Sequence, residues 1–333
     1  MSDEQRTEAA VAIVGTGSYL PERILTNAEL EKMVDTTDEW IVTRTGMRER
    51  RIAGEHEPTS VMAAGAAKQA LEKAGITGED VDLIIVATVT PDMPFPSTAC
   101  LVQNAIGARG ALCFDLEAAC SGFLYSMEVG RGMLLSGLYE TALVIGAEKM
   151  SAVTDWEDRA TCVLFGDGAG AAVLKRTATA PGILATSVGA DGSLGELLMI
   201  PAGGSRTPAS HDSVDQGLHY IKMAGNNVFK HAVRCMCEAG RDALEKAGLS
   251  VDDVDWVVPH QANMRIIQAI SDRVGISMER FVINLARLGN TTAATVPLAL
   301  DEAVSDGRIK SGDKVLMIVF GGGFTWGATV LEM

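Results

Sequence analysis

Short apolar runs of strand length alternate along this chain with longer segments that keep one helical face apolar. Residues 11–15 (VAIVG) predict a buried strand that ends before a turn at Leu20-Pro21. Residues 27–34 and 38–45 predict short helices starting near Asn27 and Asp38. Residues 70–85 (ALEKAGITGEDVDLII) read as a helix end, a glycine stop at Gly75, an acidic loop and a buried strand. The same succession returns in residues 243–258 (ALEKAGLSVDDVDWVV), with Gly248 as the stop. Strands 142–146 (ALVIG) and 315–319 (VLMIV) form a second pair, and 170–174 (GAAVL) and 327–331 (GATVL) a third, each late strand following a glycine-rich turn. So long an interval is no solenoid period. It predicts two similar α/β halves, 1–178 and 179–333, joined around residues 177–182, with layered sheets covered by helices. The two ALEKAG helices, apolar on more than one side, are expected to form the buried middle layer. The basic run 44–51 (RTGMRERR) is expected to be an exposed loop.

The halves differ where chemistry is expected. In residues 114–123 (FDLEAACSGF) a strand-like run leads to Cys120, and a buried helical pattern starts at Phe123. Free N–H groups and the positive end of a helix dipole meet at such a junction and favour a thiolate, so Cys120 is a candidate nucleophile. After its repeat strand the second half carries Pro259-His260-Gln261 where the first has Val86-Ala87-Thr88, and after VINLAR it carries Gly289-Asn290. Pseudo-twofold packing of the halves would bring Cys120, His260 and Asn290 face to face. The Gly15-x-Gly17 pair does not predict a dinucleotide site, because no third glycine follows and Pro21 interrupts the helix such a site requires.

Composition narrows the function classes. The 333 residues are 47% hydrophobic and 21% charged, with a formal net charge of −15. That balance argues against a general nucleic-acid or anionic-membrane surface. The six cysteines include no C-x-x-C and complete no metal-ligand spacing, so free thiols in a reducing cytoplasm are expected, with no metal. The polar N-terminus has no signal-peptide core, and no apolar run is long enough to span a membrane. An acidic chain that binds an acidic partner needs a local basic patch. Residues 227–244 read as a helix with Lys230, Arg234 and Arg241 near one face.

Seven motifs at consistent spacing carry a family resemblance over nearly the whole chain: GTGSYLPE (15–22), DEWIVTRTG (38–46), AACSGF (118–123), FGDGAGAAVL (165–174), VPHQANMRII (258–267), GNTTAATVP (289–297) and FGGGFTWG (320–327). Together they resemble the β-ketoacyl-acyl-carrier-protein synthase III family of thiolase-like condensing enzymes. The resemblance implies a five-layered αβαβα thiolase-like fold and a homodimer. It also implies decarboxylative condensation of a short acyl-CoA primer with malonyl-acyl-carrier protein, with no cofactor beyond the CoA thioester. Thiolases would carry a second cysteine in the C-terminal glycine loop and elongating synthases a second histidine, whereas this chain presents Cys120, His260 and Asn290.

In that scheme the backbone N–H groups of Cys120 and the 321–323 loop, ending at Gly323, form an oxyanion hole, and His260 Nε2–H and the Asn290 amide hold the thioester enolate. Trp40 and Arg159 flank the CoA adenine with Arg44 nearby. Thr36, Gly225 and Asn226 line the pantetheine tunnel, with Asn263 in support. Phe165 borders the acyl pocket, and Phe95 reaches across the dimer interface to close it. Lys230, Arg234 and Arg265 form the carrier-protein docking face. A specialised acyltransferase or polyketide-type synthase, or a non-catalytic acyl-binding relative, are the competing expectations.

Overall fold

The computed structural model describes residues 10–178 and 181–333; the polar first nine residues and residues 179–180 of the predicted joint lie outside the described residues. The first half contributes β1 (Ala10–Tyr19), α1 (Asp38–Thr45), α2 (Thr59–Ala74), β2 (Leu83–Ala87), α3 (Thr98–Ile106), β3 (Leu112–Leu116), α4 (Gly122–Leu135), β4 (Thr141–Lys149) and β5 (Asp167–Thr177). The second contributes β6 (Gly182–Ala190), α5 (Gly225–Lys246), β7 (Trp256–Pro259), α6 (Met264–Val274), α7 (Thr295–Ser305), β8 (Lys314–Gly321) and β9 (Thr325–Glu332).

Both halves build the same sheet. The first orders its strands β1-β5-β4-β2-β3 and the second β6-β9-β8-β7. In each, the strand after the ALEKAG helix runs parallel to every strand it pairs with, and the remaining pairs are antiparallel. The fifth strand of the first sheet, β3, has only a trace in the second half: a single parallel bridge between Val257 and Phe281.

Five layers result. Helices α2 and α3 cover the outer face of the first sheet, through Met62, Ala66, Ala70 and Val102 against Ile84, Ile145 and Ala171. Helices α4 and α7 lie between the sheets, where Phe123, Leu124, Met127, Val296 and Leu300 meet Ile85, Val144, Met317 and Val319. Helices α5 and α6 cover the outer face of the second sheet. Full burial of a side chain such as Phe123 or Leu124 contributes roughly 1.5–3 kcal/mol, so the middle layer holds the two halves together.

The ALEKAG helices are therefore outer layers, contrary to the expectation from sequence. Glu72, Lys73, Glu245 and Lys246 carry their solvent face, while α4 and α7, which lack such a stripe, are buried. The glycine stops are as expected, with Gly75 at φ +69° and Gly248 at φ +68°. Gly15 and Gly17 serve packing: a Cβ on either would lie 2.4 and 2.3 Å from the Ala70 and Ala66 carbonyls of α2. The helix predicted over 27–34 is shorter, Asn27–Leu30, and is capped by Thr26.

The basic run 44–51 is also not a uniformly exposed loop. Residues 49–51 pair as a strand with 24–26, and Arg50 is fully buried. Its guanidinium donates to the carbonyls of Leu25 and Val163 at 3.2 and 2.8 Å and to Asn27 Oδ1 at 2.9 Å. Those acceptors replace water, so a charge can lie beneath the site.

Candidate active site

The middle-layer helices aim their N-termini at one cavity of about 1600 Å³, lined by Cys120, His260 and Asn290 together. Strand β3 ends at Leu116, residues 119–121 form one tight turn, and α4 begins at Gly122, so Cys120 stands where strand gives way to helix. The glycine loop after β8 lies directly on it: a Cβ at Gly321 would be 2.7 Å from the Cys120 amide nitrogen. Only glycine permits that approach. Gly322 and Gly323 continue along the cavity wall, and Thr325 Oγ1 donates to the Ala118 carbonyl at 3.0 Å, tying the loop to the nucleophile strand.

His260 follows β7. Its Nδ1 lies 2.7 Å from Thr295 Oγ1, which leaves Nε2 as the ring nitrogen for the cavity. The Thr295 hydroxyl also lies 3.0 Å from the Thr292 carbonyl. Its single proton serves one partner at a time. Donated to Nδ1, it leaves Nε2 protonated and a donor; donated to Thr292, it leaves Nε2 bare and an acceptor. Asn290 is clamped on both sides, its N–H donating to the Leu164 carbonyl at 2.8 Å and its carbonyl accepting from Gly166 N–H at 3.1 Å. Its Oδ1 accepts the Thr292 N–H at 2.9 Å, which turns the amide NH₂ toward the cavity as a donor.

Burial dominates the electrostatics. It pushes the Cys120 thiol up to about 12, with the Glu148 carboxylate adding to the effect and the Thr292 hydroxyl and the cysteine's own N–H opposing it. The helix-start position thus does not by itself give a standing thiolate. Burial depresses His260 to about 3, so the imidazole is neutral at physiological pH. Glu148, fully buried at the end of β4, is raised by burial to about 8 and accepts from Thr88 Oγ1 at 3.2 Å, Val89 N–H at 3.1 Å and Thr90 Oγ1 at 2.6 Å.

Of the other predicted residues, Trp40, Arg44, Gly225, Asn226, Asn263, Phe165, Phe95, Lys230 and Arg265 line the cavity or its mouth. Thr36, Arg159 and Arg234 do not. The Arg44 and Arg159 guanidinium carbons each lie 4.9 Å from the Trp40 ring centroid. A base inserted between Trp40 and Arg159 therefore needs that arginine to swing away. Thr36 Oγ1 is buried without a hydrogen-bond partner. Arg234 faces Glu238 at 3.6 Å. Asn263 caps α6, accepting from Arg265 N–H at 2.8 Å and donating to the Arg44 carbonyl at 3.0 Å, so its amide is already engaged. Glu148, Thr292 and Thr295 were not singled out from sequence, although both threonines lie in the GNTTAATVP motif. Among the described residues, no group of three or more His, Cys, Asp or Glu side chains could hold a metal ion, and no helix is long and apolar enough to cross a membrane.

Residues 114–192 match the family described as 3-oxoacyl-[acyl-carrier-protein] synthase III, and residues 244–333 match its C-terminal family. The β-ketoacyl-[acyl-carrier-protein] synthase III of Caldanaerobacter subterraneus subsp. tengcongensis is 54% identical over 323 residues, which cover 97% of this chain and 98% of that protein. The crystal structure of 3-oxoacyl-[acyl-carrier-protein] synthase III from Aquifex aeolicus VF5 is 50% identical, with a TM-score of 0.90, covering 97% of this chain and 100% of that one. The priming β-ketosynthase of the R1128 polyketide pathway is 38% identical, with a TM-score of 0.90, over 97% and 96% of the two chains. The layered fold, the family matches and identity of this extent agree: the chain belongs to the β-ketoacyl-acyl-carrier-protein synthase III family of condensing enzymes.

Proposed function

We propose that this chain catalyses the initiating condensation of fatty-acid synthesis: a short acyl-CoA primer and malonyl-acyl-carrier protein give 3-ketoacyl-acyl-carrier protein, CoA and CO₂. The observation that carries this reading is the convergence of Cys120 from one half with His260 and Asn290 from the other on one cavity. The halves divide near residue 178, and the repeated strand order supports that boundary.

In the first step Cys120 Sγ attacks the primer thioester. The thiol proton passes to bare His260 Nε2, the Cys120 S–C bond forms, the CoA C–S bond breaks, and the leaving thiolate takes up the proton. In the second step malonyl-carrier protein loses CO₂, and the electron pair of the broken C–C bond moves to the thioester oxygen as an enolate. Having given up the thiol proton to CoA, His260 re-equilibrates with solvent to the tautomer in which the Thr295 hydroxyl donates to Nδ1 and Nε2 carries the ring's proton. Nε2–H and the Asn290 amide donate to that oxygen. The enolate carbon then attacks the acyl group, the acyl C–S bond to Cys120 breaks, and the Cys120 thiolate takes up a proton from solvent. The N–H groups of Cys120 and Gly323 hold the tetrahedral oxyanion, where loss of one donor typically costs ~3 kcal/mol.

Trp40, Arg44 and Arg159 form the CoA end, with Thr36, Gly225, Asn226 and Asn263 along the tunnel; Lys230, Arg234 and Arg265 form the docking face for the acidic carrier protein. The enzyme acts as a cytoplasmic homodimer. Phe95 at 85% exposure and Leu112 on the unpaired side of edge strand β3 support burial by a second copy, and six free cysteines support a reducing compartment. The likeness to a priming polyketide synthase favours one second reading, the same chemistry on a specialised primer. Product analysis with a panel of acyl-CoAs and malonyl-carrier protein tests both. Short primers should give 3-ketoacyl-carrier protein; product from specialised primers alone would support the second reading, and no product from any primer would contradict both.

A further inference from the structure

The turn from Asn290 to Thr295 holds a side chain that the scheme above does not use. Thr292 has φ +51°, and the only other described non-glycine residue with positive φ is Ala119 at +46°, immediately before Cys120. A β-branched residue in the left-handed region is strained. Such strain persists only where the surroundings over-determine it, and it gathers at active sites. Here the turn is wedged in place. A Cβ on Gly146 of β4 would lie 2.3 Å from the Ala293 carbonyl oxygen, and one on Gly122 of α4 would lie 3.7 Å from Ala293 Cβ. The Ala293 N–H lies near the Glu148 carboxyl and favours its charged form.

Every backbone group of Thr292 is engaged, its N–H with Asn290 Oδ1 and its carbonyl with the Thr295 hydroxyl. Its own hydroxyl is not: Oγ1 is buried and has no well-formed hydrogen bond. Thr292 lines the same cavity as Cys120, its turn packs against the turn that carries Cys120, and its hydroxyl favours the Cys120 thiolate. A threonine held in a strained conformation, with its one free polar atom buried in the turn that packs on the nucleophile's turn, is placed for the moment when charge develops there.

We propose that Thr292 is a further residue of the acyl-transfer step: its hydroxyl donates to Cys120 Sγ as the thiol loses its proton, orienting the sulfur and supporting its negative charge. The inference rests on the condensing role proposed above. The S–H proton still goes to His260 Nε2, and Thr292 keeps its own. Other titratable groups around the sulfur include Glu148 from β4, His260 after β7, and Asp115 and Glu117 on the cavity wall. Of these, Glu148 opposes the thiolate and Thr292 counters it.

The test is alkylation of Cys120 by iodoacetamide, followed on its own peptide by mass spectrometry from about pH 7 to pH 10. Substitution T292V keeps the β-branch and removes the hydroxyl; T292S keeps the hydroxyl. T292V should lower the Cys120 rate about tenfold at each pH, the effect of one lost charge-assisted hydrogen bond, while T292S stays within about twofold of wild type. Equal rates in T292V and wild type, or T292S as slow as T292V, would overturn the proposal. Should T292V fail to fold, T292A against T292S decides the same question. Alkylation needs neither primer nor carrier protein, so its outcome stands apart from any failure of the condensing role.

Discussion

Three buried groups set the protonation of the site before substrate arrives: a thiol raised to about 12, an imidazole lowered to about 3 and a carboxyl raised to about 8. Their common cause is desolvation, and in the mechanism proposed above it requires proton transfer between Cys120 and His260 during acylation. The histidine also leaves a mark on stability. Its folded value lies below the unfolded value of about 6.5, so its contribution is fully present above that pH and is lost as pH falls toward about 3. Between about pH 6 and pH 4, wild type should lose up to about 1.4 kcal/mol per pH unit more than His260→Asn, measured by denaturant unfolding. Parallel stability profiles would mean that His260 is not buried neutral. At this scale the sequence was legible for Cys120, His260 and Asn290, because each lies in a dense motif at the end of a predicted strand or the start of a helix. Glu148 was not: in isolation, an acid next to Lys149 at a strand end reads as solvated. Only the approach of residues 88–90 and Ala293 buries it.

Element existence was largely readable, and layer assignment was not. The ALEKAG repeat exposed the duplication because each copy joins a helix, a glycine stop and a strand. However, Ala-rich turns look apolar on several sides, and which side meets a sheet is a tertiary fact. The position of Arg50 was hidden for the same reason, since its acceptors come from Leu25, Asn27 and Val163, far apart in the chain. Helix α5 illustrates the next level of detail. Lys230 reaches the cavity mouth near Arg265, whereas Arg234 faces Glu238. Lys230→Glu and Arg265→Glu should each slow use of malonyl-carrier protein about tenfold at low salt and flatten its salt dependence, while Arg234→Glu changes it much less. Acylation of Cys120 by free acyl-CoA should be nearly unaffected in all three. Stopped-flow association rates check this, and equal losses for all three variants would place the docking face elsewhere on the helix.

On the whole molecule, two sheets of the same order present unlike residues to one central cavity. The proposed nucleophile, Cys120, comes from one half, and His260 and Asn290, proposed to hold the enolate, come from the other. Phe95, the most exposed of the large hydrophobic side chains among the described residues, lines the cavity. Phe95→Thr should extend primer use toward longer or branched acyl groups, read from an acyl-CoA profile; an unchanged profile would remove Phe95 from the acyl pocket. The most direct test of the divided site is intact mass in single turnover, taken after acyl-CoA and again after malonyl-carrier protein is added. Wild type should gain the mass of one acyl group and then return to its starting mass. Cys120→Ser should never gain it, and His260→Ala and Asn290→Ala should gain it and remain acylated. Acylation of Cys120→Ser, or prompt return of both His260→Ala and Asn290→Ala to their starting mass, would contradict the account.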